Sequence, residues 1–453
     1  MPNSQKQDTF RGLLFICRSV RLYAVCYSAV IIEKGSSVKK GFFVLGVIAI
    51  ITVVCWTISP RSGNPAPAFQ ITQLVAALGL AGFACMFVIS TRHGLLDKLF
   101  NGMDKAYVAH KWLGICSVGL VITHLIILQA ARARGIISNH LTELGQLGMP
   151  SLMLFVVLIL VALIARSIRF EVWKTIHKFF FLPYLIGLFH YYHSSTFSPL
   201  GLSAFSVWMD ILNIVGVAAA VYSIFLYERV AFGFKYQVTS AQIVAKRTLE
   251  ITGKALDKPL VYKPGQFTFL KVPRGEARFS SHPFTISSAP RGDVVQLTIK
   301  GAGDHTARLM DTLKVDDEFA LTKPHGMFDF TTGGNNQIWI AGGIGITPFR
   351  SFCQAGVPEG FSVDLFYSFK GDDGAYTDEL KQLARENLRV HLVDSTEQGR
   401  LTVAKIQETV SAEKPFDVYF CGPKPMRNSI RENLKKSPIQ VRGFHYEEFG
   451  FGR

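Results

Sequence analysis

The sequence lacks any C-x-x-C pair. Its seven cysteines, Cys17, Cys26, Cys55, Cys85, Cys116, Cys353 and Cys421, are scattered. That argues against a disulfide framework, a zinc site or a cysteine-held iron–sulfur cluster, and leaves most of them as small apolar fillers. Charge is scarce as well, at 18% of residues against 49% hydrophobic, and the mean hydropathy is +0.26. Acidic residues are scarcest, 33 against 48 Lys and Arg, for a net charge of +15. No face interleaves aromatic with basic residues, so the positive balance does not point to a nucleic-acid partner. No small-residue cleavage site follows a clean apolar core near the start, which argues against a cleaved signal peptide. Phe10–Ile32, interrupted by Arg11, Arg18 and Arg21, reads instead as an interfacial segment.

What is present is divided. Over 453 residues, two or three domains are expected. From Gly41 to Tyr227 long apolar runs dominate; from about Arg229 charges recur every few residues. A helix needs about 20 mainly apolar residues to cross the hydrocarbon core. Six segments are expected to do so: Phe42–Ile58, Ile71–Ser90, Tyr107–Leu128, Leu152–Ala165, Ile176–Tyr192 and Val207–Tyr227. Lys34, Lys39 and Lys40 precede the first segment. Arg92, Lys98, Lys105 and Lys111 lie around the second loop, and Arg166, Arg169, Lys174 and Lys178 around the fourth. The opposite loops carry only Arg61, Arg132 and Arg134, so both termini and the water-soluble half are expected on the cytosolic side.

Histidines inside membrane helices are costly and usually functional. The third segment carries His110 and His124, the fifth His177 and His190. Spacings of fourteen and thirteen residues separate each pair by roughly 20 Å along its helix. On two parallel helices the first histidines meet at one level and the second at another, and two facing imidazoles per level suit a bis-histidine haem. Fourteen residues fall about 40° short of whole turns, but thirteen fall about 140° short. Pro183 lies between His177 and His190 and is expected to kink or rewind that helix. His193 is a rival outer ligand, while His93 and His140 sit in or near loops.

Beyond residue 230, Phe234–Phe330 reads as short strands broken by Gly and Pro, an antiparallel barrel. His282-Pro283-Phe284-Thr285-Ile286-Ser287-Ser288 is extended. Lys300-Gly301-Ala302-Gly303-Asp304-His305-Thr306 leads into a helix at Thr306–Leu313, whose first N–H groups suit a pyrophosphate. Strand Gln337–Ala341, the turn Gly342-Gly343-Ile344-Gly345-Ile346-Thr347-Pro348 and helix Phe349–Ala355 form a dinucleotide-binding unit, with Pro348 where the usual fingerprint has its third glycine. Further strands are expected at Val363–Phe369, Val390–Val393 and Asp417–Phe420, the last ending in Cys421-Gly422-Pro423.

In this order, the His-Pro-Phe-Thr, Gly-Gly-Ile-Gly-Ile-Thr-Pro and Cys-Gly-Pro motifs with four membrane histidines resemble the ferric reductase and NADPH oxidase superfamily, over nearly the whole chain from residue 41. Without calcium-binding loops the chain is similar to its bacterial members, and its second half looks like the ferredoxin–NADP reductase family. The resemblance implies a multi-domain membrane protein. It would have a segment 1–40, a six-helix transmembrane haem domain 41–230, an antiparallel β-barrel FAD domain 231–332 and an α/β nucleotide-binding domain 333–453. The resemblance places His282, Pro283, Phe284, Thr285 and Ser287 along FAD, and Lys300, Gly303 and Thr306 at its phosphates. Gly343, Gly345, Thr347 and Pro348 would meet the dinucleotide, and Cys421 and Gly422 the nicotinamide. Phe449, with Phe451 as rival, would cover the flavin. Ser368 and Lys370 would hold a 2′-phosphate, which favours NADPH while leaving NADH open.

The metal ligands expected are His110, His124, His177 and His190, holding two b-type haems. The implied partners are NAD(P)H, membrane lipid and a small acceptor, dioxygen or ferric iron, with no obligatory protein partner. The implied setting is a bacterial inner membrane. Two alternatives stay open: a quinone- or protein-linked reductase, and a haem-binding subunit without flavin activity.

Overall fold

The computed structural model describes residues 39–60, 66–137, 144–164, 170–195, 201–273, 281–410 and 414–447. The expected interfacial segment Phe10–Ile32, and Phe449 and Phe451, lie outside the described residues. The chain divides into two compact units between Tyr227 and Glu228.

The first unit is helical, because in hydrocarbon each backbone N–H and C=O must bond within its own segment. Its main helices are α1 (Lys39–Ile58), α2 (Pro67–Ser90), α3 (Met103–Ala133), α4 (Gly148–Leu163), α5 (Phe170–Lys178), α6 (Phe181–Ser194) and α7 (Ala204–Val221). By length and composition, five helices among the described residues can cross a membrane: Lys40–Ile58, Pro67–Ser90, Met103–Ala133, Gly145–Leu163 and Ala204–Val230. The buried helix is α2, and its small residues let α3 and α7 approach. A Cβ at Gly82 would overlap Ser117 Oγ, and one at Gly216 would lie 2.8 Å from Ala84 Cβ.

The expected fifth span is two helices. Ile176–Tyr192 breaks at Phe179–Phe180, between α5 and α6. Pro183 has no N–H to offer the Phe179 carbonyl, which accepts from Leu182 N at 2.9 Å, one residue earlier than an α-helix requires. Ser151 Oγ on α4 donates to the Pro183 carbonyl at 2.8 Å and anchors the break.

The second unit holds two sheets. The first is antiparallel: β1 (Phe234–Ala245), β2 (Thr248–Ala255), β3 (Phe267–Lys271), β4 (His282–Thr285), β5 (Val294–Lys300) and β6 (Glu318–Leu321), in the order β4-β3-β6-β1-β2-β5. Its outer strands meet at an isolated bridge, Ile286–Leu297. Alternate residues, Tyr236 and Val238 on β1, Leu249 and Ile251 on β2, Leu297 and Ile299 on β5, form its core.

The second sheet is parallel. It comprises β7 (Asn336–Gly342), β8 (Ser362–Phe369), β9 (Leu388–Asp394), β10 (Phe416–Cys421) and β11 (Val441–Glu447), in the order β11-β10-β7-β8-β9. Helices α8 (Asp304–Thr312), α9 (Ile346–Ala355), α10 (Thr377–Leu383) and α11 (Lys424–Leu434) complete the unit. Both faces of this sheet are buried: Trp339 and Ala341 pack on one side with Phe349 and Phe352 of α9, Ile338 and Ile340 on the other with Ile430 and Leu434 of α11.

Asp364 on β8 is buried beneath Arg389 Nη2 at 2.6 Å and His391 Nε2 at 2.9 Å. Burial pushes its carboxyl up, but hydrogen bonds from His391 and Arg389 outweigh this and hold it below the usual carboxylate range. A depressed carboxyl stabilises the fold above its unfolded value, about 3.9, and that stability is lost as pH falls through the lower folded value. Asp364→Asn is therefore expected to lower stability at pH 7 by about 1–2 kcal/mol, discounted because Arg389 is half exposed. The gap to the unaltered protein should narrow as pH falls below the unfolded value of about 3.9 and close once it has passed the lower folded one. Thermal unfolding of the purified protein across pH measures it.

Candidate functional site

The break before Pro183 turns α6 so that both of its unit's expected pairs form. The His110 and His177 ring centres are 6.1 Å apart, and those of His124 and His190 are 6.3 Å apart. Two imidazoles on one iron, each bonded at about 2 Å with its ring centre roughly 1.1 Å further on, would put those centres about 6.2 Å apart. The observed distances fit that geometry. Orientation fits too. The Nδ1 of His110 lies 3.1 Å from Met86 O, that of His124 2.8 Å from Thr72 O, and that of His190 2.8 Å from Gly145 O. A carbonyl can only accept, so these Nδ1 atoms carry the proton and each Nε2 is left bare for a metal.

Among the described residues His177 Nδ1 is buried with no hydrogen-bond partner; the ring is held by Trp173, stacked at 4.9 Å, and by Phe180 at 4.9 Å. A Cβ at Gly148 would come within 2.9 Å of the His190 ring, so α4 presses on that imidazole through a glycine. The rival His193 bonds back to Phe189 O of its own helix at 2.8 Å. His93 caps the short helix Gly94–Phe100, while His140 lies outside the described residues. Among the described residues no three His, Cys, Asp or Glu side chains gather as a metal site. Pairs are what remains, and a pair suffices when a macrocycle supplies the other donors.

In the second unit β4 carries the His-Pro-Phe-Thr motif. His282, Pro283 and Phe284 are partly exposed, while Thr285 is buried with its hydroxyl unbonded among the described residues. A buried hydroxyl without a partner is costly, so this orphan fits a bound ligand such as a flavin. Ser287 is fully buried and accepts from Thr298 Oγ1 at 2.8 Å. Gly303 caps α8, and Thr306 serves its own backbone: its hydroxyl accepts from Ala302 N at 3.0 Å and Gly303 N at 3.1 Å. Lys300 pairs with Asp373 at 3.3 Å. His305, to which the sequence reading gave no role, stacks on His282 with ring centres 3.7 Å apart, joining the glycine-rich loop to the flavin motif.

The parallel sheet runs outward in both directions from β7, to β8 on one side and β10 on the other, so the switch point lies between β7 and β10. The Gly342–Gly345 turn and Cys421-Gly422 meet there, with Ala341 and Cys421 in register. A Cβ on Gly345 would overlap the Cys421 carbonyl, and one on Gly422 would lie 3.0 Å from Gly342. Gly343 has φ +53°, a left-handed conformation that favours glycine. Thr347, Pro348 and Cys421 are buried; Ser368 is the second-last residue of β8, with Lys370 exposed just beyond the strand.

The comparisons with known proteins agree in order with this geometry. The family described as ferric reductase like transmembrane component matches residues 75–188, an FAD-binding domain family matches 233–334, and an oxidoreductase NAD-binding domain family matches 339–432. In this order the three matches are those of a ferric reductase- or NADPH oxidase-like protein. The chain therefore has a ferric reductase-like transmembrane component and FAD- and NAD-binding domains of an oxidoreductase.

Among its relatives, the carnitine monooxygenase reductase subunit of Escherichia coli is 26% identical over 222 residues, 48% of this chain and 68% of that protein. The ferredoxin reductase component of 3-ketosteroid-9-alpha-monooxygenase from Mycobacterium tuberculosis is 30% identical over 199 residues, 42% of this chain and 55% of that protein. The chain thus spans between about half and two thirds of the length of these relatives. The flavohem-like FAD/NAD-binding domain of nitric oxide dioxygenase from Vibrio cholerae matches with a TM-score of 0.42 and 21% identity, covering 48% of this chain and 98% of that domain.

The crowding at the switch point makes a direct prediction for this oxidoreductase. Gly345→Ala must push the dinucleotide turn off the Cys421 carbonyl. Affinity for NAD(P)H is expected to fall at least about tenfold, since phosphate binding there depends on close backbone approach. Bound FAD should stay unchanged. Titration of nicotinamide dinucleotide against purified protein, with flavin content read by absorbance, checks both.

Proposed function

We propose that the chain is a transmembrane oxidoreductase that passes electrons from NADPH, by way of FAD and two b-type haems, to an acceptor on the opposite side of the membrane. The acceptor is dioxygen, giving superoxide, or ferric iron. The observation that carries this reading is the pair of histidine distances, 6.1 and 6.3 Å, in a helical unit joined to FAD- and NAD-binding domains. FAD supplies conversion of a two-electron donor into single-electron steps, and bis-histidine iron supplies reversible one-electron storage with no open position.

The residues divide the work. His110 and His177 would hold the inner haem, and His124 and His190 the outer one. Backbone carbonyls of Met86, Thr72 and Gly145 fix three of the four rings. Thr285 offers its buried hydroxyl to the flavin beside His282, Pro283 and Phe284, and Gly303 opens α8 to its phosphates. Gly343, Gly345, Thr347 and Pro348 would seat the dinucleotide, and Cys421 and Gly422 would lie at the nicotinamide; the flavin cover expected at Phe449 or Phe451 falls outside the described residues. Lys300, bound to Asp373, reaches the FAD phosphates only by giving up that pair.

Six crossings follow from taking α5 and α6 together as the fifth, and the bridge Ile286–Leu297 supports a closed barrel. Lys and Arg placement puts the FAD and NAD domains, residues 231–332 and 333–453, in the cytosol. Lys370 attracts a 2′-phosphate and Asp372, exposed two residues on, repels it, so the preference for NADPH should be under about tenfold and reverse in Lys370→Ala. Matched NADPH and NADH titrations read this.

His124→Leu tests the whole pathway. It should remove one of two haems and lower reduction of the outside acceptor more than about a hundredfold, while NADPH still reduces the flavin at near its normal rate. Persistence of both haems would show the ligand assignment to be wrong. Superoxide yield against ferric-chelate reduction, under air and under nitrogen, identifies the acceptor.

A further inference from the structure

Helix α9 starts at the dinucleotide turn, and its next turns lie against the chain that continues from the flavin strand β4. Three of its side chains make that seam. Arg350 Nη1 approaches Ser287 O at 3.4 Å, Ser351 Oγ donates to Ser288 O at 2.7 Å, and Gln354 Oε1 accepts from Ala289 N at 3.0 Å. Arg350 is 5% exposed, an unusual place for a guanidinium. It donates from Nη1 to Glu250 Oε2 at 2.6 Å and from Nε to Glu379 Oε2 at 2.9 Å, and its Cζ lies 3.9 Å from the Tyr376 ring centre.

The network closes on itself. Tyr376 OH donates to Glu250 Oε2 at 2.7 Å and lies 2.7 Å from Thr298 Oγ1, which donates to Ser287 Oγ at 2.8 Å. Gln354 Nε2 donates to Glu379 Oε1 at 2.6 Å. Glu250 and Thr298 belong to the antiparallel sheet; Arg350, Tyr376 and Glu379 belong to the nucleotide fold. Tyr376 is itself held at φ +63°, which side chains other than glycine seldom adopt.

A buried ion pair is weak evidence for stability, because apolar residues of similar volume often serve as well; its firmer use is to select one arrangement among several. Hydride donor and acceptor atoms must be held in a near-attack geometry, where a misplacement of about 1 Å can cost about a hundredfold in rate. We propose that Arg350, clamped by Glu250, Glu379 and Tyr376, is a positioning residue that sets the dinucleotide turn in register with the flavin strand. The proposal rests on the reading above only in taking this unit as the receiver of nicotinamide electrons.

The test uses full-length, detergent-purified protein carrying its flavin, with Arg350→Met, Arg350→Lys and Tyr376→Phe. Hydrogen exchange without any nicotinamide is expected to rise about tenfold or more in Arg350→Met at 287–289 and 343–347 together, as the two segments uncouple. In anaerobic rapid mixing the limiting rate of flavin reduction should fall about 10- to 100-fold, with the dinucleotide Kd within about threefold and FAD content unchanged. Tyr376→Phe should fall about three- to fivefold, and Arg350→Lys should recover part of the loss, since a lysine keeps the charge but cannot bridge both carboxylates. Unchanged exchange and rate in Arg350→Met, or a loss entirely in Kd, overturns the proposal. Should Arg350→Met lose its flavin, unchanged values in both Tyr376→Phe and Arg350→Lys overturn it instead. Should neither NADPH nor NADH reduce the unaltered protein, that failure belongs to the proposed function, and the exchange data alone decide the clamp.

Discussion

A neutral imidazole inside a membrane has two nitrogens to satisfy and no water to satisfy them. In this protein backbone carbonyls accept a hydrogen bond from the Nδ1 of His110, His124 and His190. The paired rings, His110 with His177 and His124 with His190, stand 6.1 and 6.3 Å apart between centres, distances that suit one metal between them. Much of the helical unit serves that arrangement. Helix α2 lies buried and supplies two of the three carbonyls, and its small residues let α3 come close enough to reach them. Gly148 lets α4 touch the His190 ring, and Pro183 breaks the helix that carries the second partner of each pair.

The broad organisation was legible in the sequence because it rests on length and period. Apolar runs announced the helices, and alternating strand and helix patterns announced the parallel sheet with its turn at Gly342–Gly345. The histidine spacings announced two levels. They also posed a contradiction, since thirteen residues of regular helix leave His190 about 140° out of phase with His177. The break at Phe179–Phe180 takes up that shortfall. Its cause, a missing N–H at Pro183, is local and was readable; its cost to the fifth helix, now in two pieces, was not.

Other features were hidden for a physical reason. A carbonyl acceptor such as Met86 O has no side-chain signature, so no sequence pattern points to it. Arg350 meets Glu250 across one hundred residues, and only tertiary structure brings them together. One signal did exist: an arginine among Ile346, Phe349, Phe352 and Cys353 is a charge on an otherwise apolar helix face. Burial pushes the Cys353 thiol up to about 12, in keeping with its reading as an apolar filler.

The central claim is that each histidine pair would hold one haem, leaving its iron no open position. Adding carbon monoxide to the dithionite-reduced, purified protein tests it most directly. Two haems per chain whose reduced spectrum does not change with carbon monoxide is the predicted result, because six-coordinate bis-histidine iron offers no site. A stoichiometric carbon monoxide complex at either haem would contradict the account.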